Sequence, residues 1–265
     1  MLNYTRMNAK SVGVLLACMI VLVVGIAGCT GSDQSGVAEK KVYTVGVDGN
    51  YAPYSYIETD GSVTGFDVES VKWIADKMGF EVKIQPMDWD AMIPALNANK
   101  IDMVYSGMTI TPERAEQVTF SIPYLWINQS VAVHNDSAIT MDDVMAGTVV
   151  MGAQRGTTGQ IWVEENLIAN GTMPKDNLKL YDNFPLVITD LQNQRIEASI
   201  YDRPSHLAAI EGKPIHIIGE INTGEEYGVA MRKDDTELQE QMNKGLEELM
   251  NDPYWQELLV KYNLA

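Results

Sequence analysis

The chain has 265 residues, 46% of them hydrophobic and 21% charged, which is enough for one large domain or two ordinary ones with real cores. A formal charge of −17 excludes the basic footprint that nucleic-acid binding requires. The same charge is repelled by anionic lipid headgroups, so any contact with a membrane needs an anchor.

The N-terminal segment supplies one. Residues 1–10 carry Arg6 and Lys10 and no acid, residues 12–27 are almost wholly apolar, and the run ends Ile26-Ala27-Gly28-Cys29. A basic start, an apolar core and small residues before a cut site describe a secretory signal peptide over residues 1–28. An uncleaved membrane helix is the alternative, but the run falls short of the roughly 20 residues needed to span comfortably. The cysteine directly after Ala-Gly resembles a bacterial or archaeal lipoprotein box. That resemblance implies cleavage before Cys29 and lipidation of its thiol. The chain would then be held on the outer face of the cell membrane, in the periplasm where an outer membrane exists. Removing residues 1–28 discards Cys18, Arg6 and Lys10 and moves the formal charge from −17 to −19. With Cys29 lipidated, the exported part forms no disulfide, and its stability comes from its core. Residues 29–40 are polar, contain Gly31 and Gly36, and read as a flexible tether.

From residue 42 strands and helices alternate. Residues 42–47 are a β-branched strand, and 48–60 are rich in turns. Val71, Ile74, Ala75 and Met78 share one face of a helix over 70–78, which Gly79 stops. A strand at 81–85, a helix at 89–97 with Pro94 in its first turn, and a strand at 101–105 complete a βαβαβ unit. A second unit follows. Its strands lie at 148–151, 178–181 and 196–200, and its helices at 160–169 and 185–194. A strand at 227–231 then leads to helices over 234–251, capped by Asp235 or Thr236, and over 253–262. The fold class is α/β, with mostly parallel sheets flanked by helices. Ligands of such sheets sit beyond the carboxyl ends of the strands, and with two units the cleft between them is the default site.

The residues just after the strands carry the chemistry. Residues 106–114 read SGMTITPER. Arg114 offers a planar fork that matches a carboxylate, and Gly107 and Thr109 can turn a backbone N–H and a hydroxyl to the same anion. Pro112 suits a first helical turn, whose dipole favours an anion. An arginine at a helix start is equally an ordinary surface residue. Asp202 ends a strand and could hold an ammonium group, or could cap the helix that Pro204 opens. Gly156-Thr157-Thr158-Gly159 offers amides and two hydroxyls to an anion, or a threonine cap. It is not a nucleotide loop, because no lysine follows and the GxGxxG spacing is absent. Tyr51 and Trp89 could wall a ligand or stack on a cation, or simply pack. The histidines are His134, His206 and His216, with no HExxH and no GxSxG. Asp142-Asp143 and Asp88-x-Asp90 read as solvated helix starts. No catalytic residue, metal or cofactor is expected.

Taken in order, residues 48–54 (DGNYAPY), 65–69 (GFDVE), 106–114, 156–159 (GTTG) and 201–202 (YD) resemble the polar amino-acid-binding family of extracytoplasmic solute-binding proteins. The resemblance covers residues 42–262, and Ser70 departs from it where an apolar residue is usual, a matter of packing. It implies a monomeric, non-enzymatic capture subunit of an ATP-binding-cassette importer, whose partners are a free amino acid and the permease subunits. The implied fold is the type II periplasmic-binding-protein-like one. Lobe 1 spans residues 41–125 and 228–265, lobe 2 spans 130–222, and a hinge lies near 126–129 and 223–227. Arg114 would clamp the ligand's α-carboxylate with Thr109 and Thr158, and Thr157 would lie beside them. Asp202 would take the α-ammonium with Gly107. Tyr51 and Trp89 would sandwich the side chain, and Asp48, Ser106 and Gln154 would meet its far end. An aspartate at position 48 favours a basic or amide amino acid, arginine first. Two alternatives keep the same scaffold: a sensory lipoprotein feeding a receptor, and a prephenate- or arogenate-type dehydratase, for which no specific general acid is visible.

Overall fold

A computed structural model describes residues 40–265; the signal segment, Cys29 and the rest of the tether up to residue 39 lie outside the described residues. The first strand, β1 (Val42–Val47), carries the expected β-branched run and buries Tyr43, Val45 and Val47. Three short strands, β2 (Asn50–Tyr51), β3 (Ser55–Ile57) and β4 (Val63–Thr64), make a small antiparallel sheet of their own in the turn-rich segment. Helix α1 (Phe66–Met78) starts earlier than the apolar spacing predicts, because Gly65 takes a φ of 129° that lets the chain turn into Phe66. Gly79, in the left-handed region at φ 80°, ends it as expected.

Next come β5 (Glu81–Pro86), α2 (Met92–Asn97), β6 (Met103–Val104), α3 (Pro112–Ala115) and β7 (Thr119–Phe120). The chain then enters β8 (Leu125–His134) and continues through α4 (Met141–Met145), β9 (Met151–Gln154), α5 (Thr158–Val163), β10 (Leu178–Tyr181), α6 (Phe184–Gln192), β11 (Ala198–Asp202) and α7 (Arg203–Ile210). It returns through β12 (Ile215–Tyr227) to β13 (Ala230–Met231), α8 (Thr236–Asn251) and α9 (Pro253–Lys261). Asp235 caps α8 by accepting from the Leu238 N–H.

Two five-stranded sheets result, ordered β5-β1-β6-β13-β7 and β10-β9-β11-β8-β12. In each sheet, β1 or β9 lies between two parallel neighbours, and one strand opposes the rest: β13 in the first and β8 in the second. Both opposing strands are ones the chain enters after passing from the other sheet, which is why the sheets are mostly but not wholly parallel. The architecture is therefore α/β and two-lobed, with helices covering each sheet.

Several boundaries differ from the sequence reading. The strand expected at 148–151 is found at Met151–Gln154, and the one expected at 196–200 at Ala198–Asp202. Thr148-Val149-Val150 leads into the first paired segment instead of filling it, and the second runs on through Tyr201 and Asp202. The helix expected over 160–169 is α only to Val163 and widens to a π-type turn over Glu164–Ile168. The strand expected at 227–231 is two pieces, parted after Tyr227 at Gly228. The long strands β8 and β12 were not anticipated at all. They pair antiparallel over nearly their full length, with a register shift between Ile221 and Glu225. Polar residues interrupt both, so neither shows a clean period-two pattern. Leu238, Met242, Leu246 and Leu249 of α8 pack beside α1, and Trp255 of α9 meets Phe66 edge-on at 5.0 Å.

Candidate ligand-binding cleft

Arg114 is placed by a short helix with its own cap. The Thr111 hydroxyl accepts from the Arg114 backbone N–H, and Pro112 opens the turn. The side chain then leaves the surface: Arg114 is 7% exposed, so the bland surface alternative fails. Its guanidinium donates to the Thr109 carbonyl at 2.8 Å and to the Gly156 carbonyl, across the cleft, at 3.1 Å. It also lies 5.3 Å from the centre of the Trp89 ring, whose indole N–H donates to the same Gly156 carbonyl. Burial pushes the Arg114 pKa down, and the nearby Asp202 and Glu225 carboxylates oppose that shift.

Asp202 ends β11 opposite Gln129 of β8. It stands at the start of α7, but its side chain makes no cap. Instead it accepts from the Tyr51 and Gln129 side chains, and from the Tyr227 hydroxyl at 2.8 Å. Burial, reinforced by the Glu225 charge, raises its pKa to about 6, although these three donors favour the ionised form.

Gly107 closes the floor. Its φ of 55° is a conformation side chains rarely adopt, and its N–H donates to Asp67 at 2.6 Å. Asp67 is fully buried, which pushes its pKa to about 8; it also accepts from the Tyr124 hydroxyl. A Cβ on residue 107 would sit 2.6 Å from the Tyr51 ring. Gly107→Ala is therefore expected to shift Tyr51 and cost about 2–4 kcal/mol from backbone strain and overpacking. A thermal melt would show this as a fall of roughly 5–10 °C; an unchanged melting temperature would refute the tight packing.

Eight of the eleven expected residues (Tyr51, Trp89, Gly107, Thr109, Arg114, Thr157, Thr158 and Asp202) line one chamber, together with Tyr201. Its volume is about 10 Å³, room for about one water, so any larger guest requires the walls to part. The Thr157 hydroxyl accepts from the Gln160 N–H to cap α5 and donates to the Gln154 carbonyl. The other three residues lie behind the chamber. Asp48, 4% exposed, accepts from the Asn50 N–H at 2.9 Å and from Gln154 Nε2 at 3.2 Å. Burial pushes its pKa up, against those hydrogen bonds. The Ser106 hydroxyl accepts from the Asp48 N–H and is shared with Ser55. Gln154 Oε1 accepts from the Tyr201 hydroxyl at 2.9 Å.

Three further residues belong to the cluster; in the sequence they fall in the expected hinge segments and not in the site. Glu225, 9% exposed, accepts from the Thr109 hydroxyl at 2.7 Å, the Thr158 hydroxyl at 2.6 Å and Gln129 Nε2 at 2.9 Å. Tyr227 meets the Tyr51 hydroxyl at 2.6 Å as well as Asp202. Gln129 joins Asp202 to Glu225. A larger hollow of about 280 Å³ lies beyond Tyr201, between Asn50 and helices α6 and α7. Its walls hold one cation, Lys213, and no carboxylate, so they offer no matched pair for a zwitterion. Among the described residues no group of three or more His, Cys, Asp or Glu is placed to hold a metal ion.

The chain is 30% identical over 265 residues to a protein named "Probable histidine-binding protein" in Neisseria gonorrhoeae, covering 97% of this chain and 96% of that one. It is 31% identical over 250 residues to the L-cystine-binding protein TcyJ of Escherichia coli strain K12, covering 92% and 91%. Among solved structures, an ancestral arginine-binding protein bound to arginine superposes with a TM-score of 0.77 at 34% identity, over 84% of this chain and 98% of that one. Residues 43–265 match the family profile itself, and the chain belongs to the bacterial extracellular solute-binding proteins, family 3.

Proposed function

We propose that this protein captures a free amino acid between its lobes and delivers it to the permease subunits of an ATP-binding-cassette importer. The observation that carries this is the pairing of Arg114, from the first lobe, with Asp202, from the second, both buried on one chamber. A zwitterion needs these two partners, and a desolvated site makes each count for more than it would in water. Arg114, with Thr109 and Thr158, takes the carboxylate. Asp202 takes the ammonium, with the Gly107 carbonyl beside it. Tyr51 and Trp89 flank the ligand's side chain, while Thr157 fixes the loop that carries Thr158. Asp48, supported by Ser106 and Gln154, faces the far end and favours a cationic group, arginine first. The protein is a binding protein with no chemical step, and Cys29 carries the lipid that keeps a monomer on the outer face of the cell membrane.

Motion follows from the same reading. Residues 126–129 and 223–227 lie on the paired strands β8 and β12, where the chain passes between sheets, and they act as the hinge. Opening breaks the contacts of Arg114 and Trp89 with Gly156 and of Tyr51 with Asp202; closure on a ligand replaces them, and the closed shape is what the permease recognises.

The test is a thermal-shift panel of the standard amino acids and ornithine on the full-length chain in mild detergent. A true ligand at a hundred- to a thousandfold excess over its Kd stabilises the fold by roughly 3–4 kcal/mol. One clear shift with a basic or amide amino acid is expected, and none with any amino acid would reject the proposal. Asp48→Asn should then weaken a cationic ligand by about 10- to 100-fold, the worth of a charged hydrogen bond, and glutamine by far less. Equal losses in calorimetric titrations would remove Asp48 from specificity.

A further inference from the structure

Glu225 stands where the proposed function places the ligand's own carboxylate. Its carboxylate takes the hydroxyls of Thr109, beside β6, and of Thr158, at the start of α5. Thr109 also connects it to Arg114, which donates to the Thr109 carbonyl. An amino acid bringing its own carboxylate must displace Glu225 from these hydroxyls. A ligand without one need not.

The charges point the same way. Four carboxyl groups are buried here. Asp67, held by the Gly107 N–H and the Tyr124 hydroxyl, has its pKa raised to about 8 by burial and stays neutral below it. Asp48, Asp202 and Glu225 set three carboxylates against the one buried guanidinium of Arg114, which leaves two negative charges unmatched. They form one connected set. Gln129 joins Glu225 to Asp202, and Gln154 with Tyr201 joins Asp48 to the chamber that Asp202 lines. A zwitterionic amino acid with a cationic side chain supplies only one net positive charge. A linear dication supplies two. With Glu225 left on Arg114's side of the chamber, one end of the dication meets Asp202 and the other meets Asp48, and each charge of this set has an opposite.

We propose that Glu225 is a resident carboxylate standing in for the ligand's own, so that the same cleft also takes linear α,ω-diamines and guanidinoalkylamines that lack one. This rests on the amino-acid reading for the roles of Arg114, Asp202 and Asp48, and adds Glu225 as the residue that sets the preference between the two ligand classes.

Calorimetric titration of the full-length protein at about pH 7, above the pKa of about 6 that burial gives Asp202 and below the one of about 8 that it gives Asp67, tests it with arginine, agmatine, putrescine and cadaverine as probes. At least one of the three dications should bind the wild type at one site per chain and be displaced by arginine. Glu225→Gln should move the two classes in opposite directions. The dication loses about tenfold or more, the worth of a charged partner, and arginine gains a few-fold because its competitor is weakened. Failure of all three dications to bind the wild type overturns the proposal, whatever the variant does. So does a Glu225→Gln protein in which both classes weaken together, which would make Glu225 part of the frame. Failure of arginine and every other amino acid to bind, with a dication still bound, would instead reject the amino-acid function and leave the role of Glu225 standing.

Discussion

Arg114→Ala should lose most of the protein's affinity for its amino acid. Truncating one partner of a buried, hydrogen-bonded charge pair costs about 2–5 kcal/mol, or roughly 30- to several-thousandfold in Kd. The cost is high because Arg114 is nearly buried and the carboxylate it would meet has been taken out of water. The two threonine hydroxyls cannot neutralise a charge. Arg114→Lys keeps the charge but loses the planar fork that now reaches both Thr109 and Gly156, so it should recover only part of the loss. Titration of both variants with the best ligand from the thermal panel decides this. An alanine variant within threefold of wild type would remove Arg114 from the site.

Asp202→Asn is the second large effect. The amide keeps the shape of the side chain but cannot balance an ammonium, and a loss of about 2–3 kcal/mol, or 30- to 150-fold, is expected. The pH dependence has a definite sign. Burial holds the folded-state pKa of Asp202 at about 6, above its ordinary 3.8. The ionised carboxylate therefore burdens the fold, and that burden is relieved as pH falls through about 6 towards 3.8. An ammonium stabilises the ionised form, so the complex holds fewer protons than the free protein. Affinity should be full above pH 6 and fall about tenfold per unit below it, until the complex itself takes up the proton. Asp48, also shifted upward by burial, acts in the same direction. The difference between the wild-type and Asp202→Asn profiles isolates the Asp202 share. Parallel profiles would mean that Asp202 does not meet the ammonium.

Much of the site was legible because its residues follow strands in recognisable turns. Arg114 after SGMTITPE and Asp202 after the strand IEASIY could be picked out with an ordinary use beside a functional one. Only burial and partners decide between these uses: Arg114 reaches across to Gly156, and Asp202 makes no cap. Glu225 was hidden for a physical reason. It lies in Gly224-Glu225-Glu226, which reads as a solvated acidic pair. On a strand, however, neighbouring side chains face opposite ways. Glu226 faces out to the exposed Trp126 indole, and Glu225 turns in to Thr109 and Thr158, just past the register shift in β12. Gln129 was hidden with it, because strand β8 itself did not show a period. The core helices α1, α8 and α9 were the easiest elements to read, since their apolar faces repeat at helical spacing and their ends carry Gly79, Asp235 and Pro253.

The most direct test of the central claim is a crystal structure of the protein grown with saturating arginine. The α-carboxylate should lie within hydrogen-bond distance of the Arg114 guanidinium, the α-ammonium on Asp202, and the guanidinium of the ligand towards Asp48, with Glu225 moved off the Thr109 and Thr158 hydroxyls. Arginine bound in the reverse sense, bound elsewhere, or not bound at all would contradict the account.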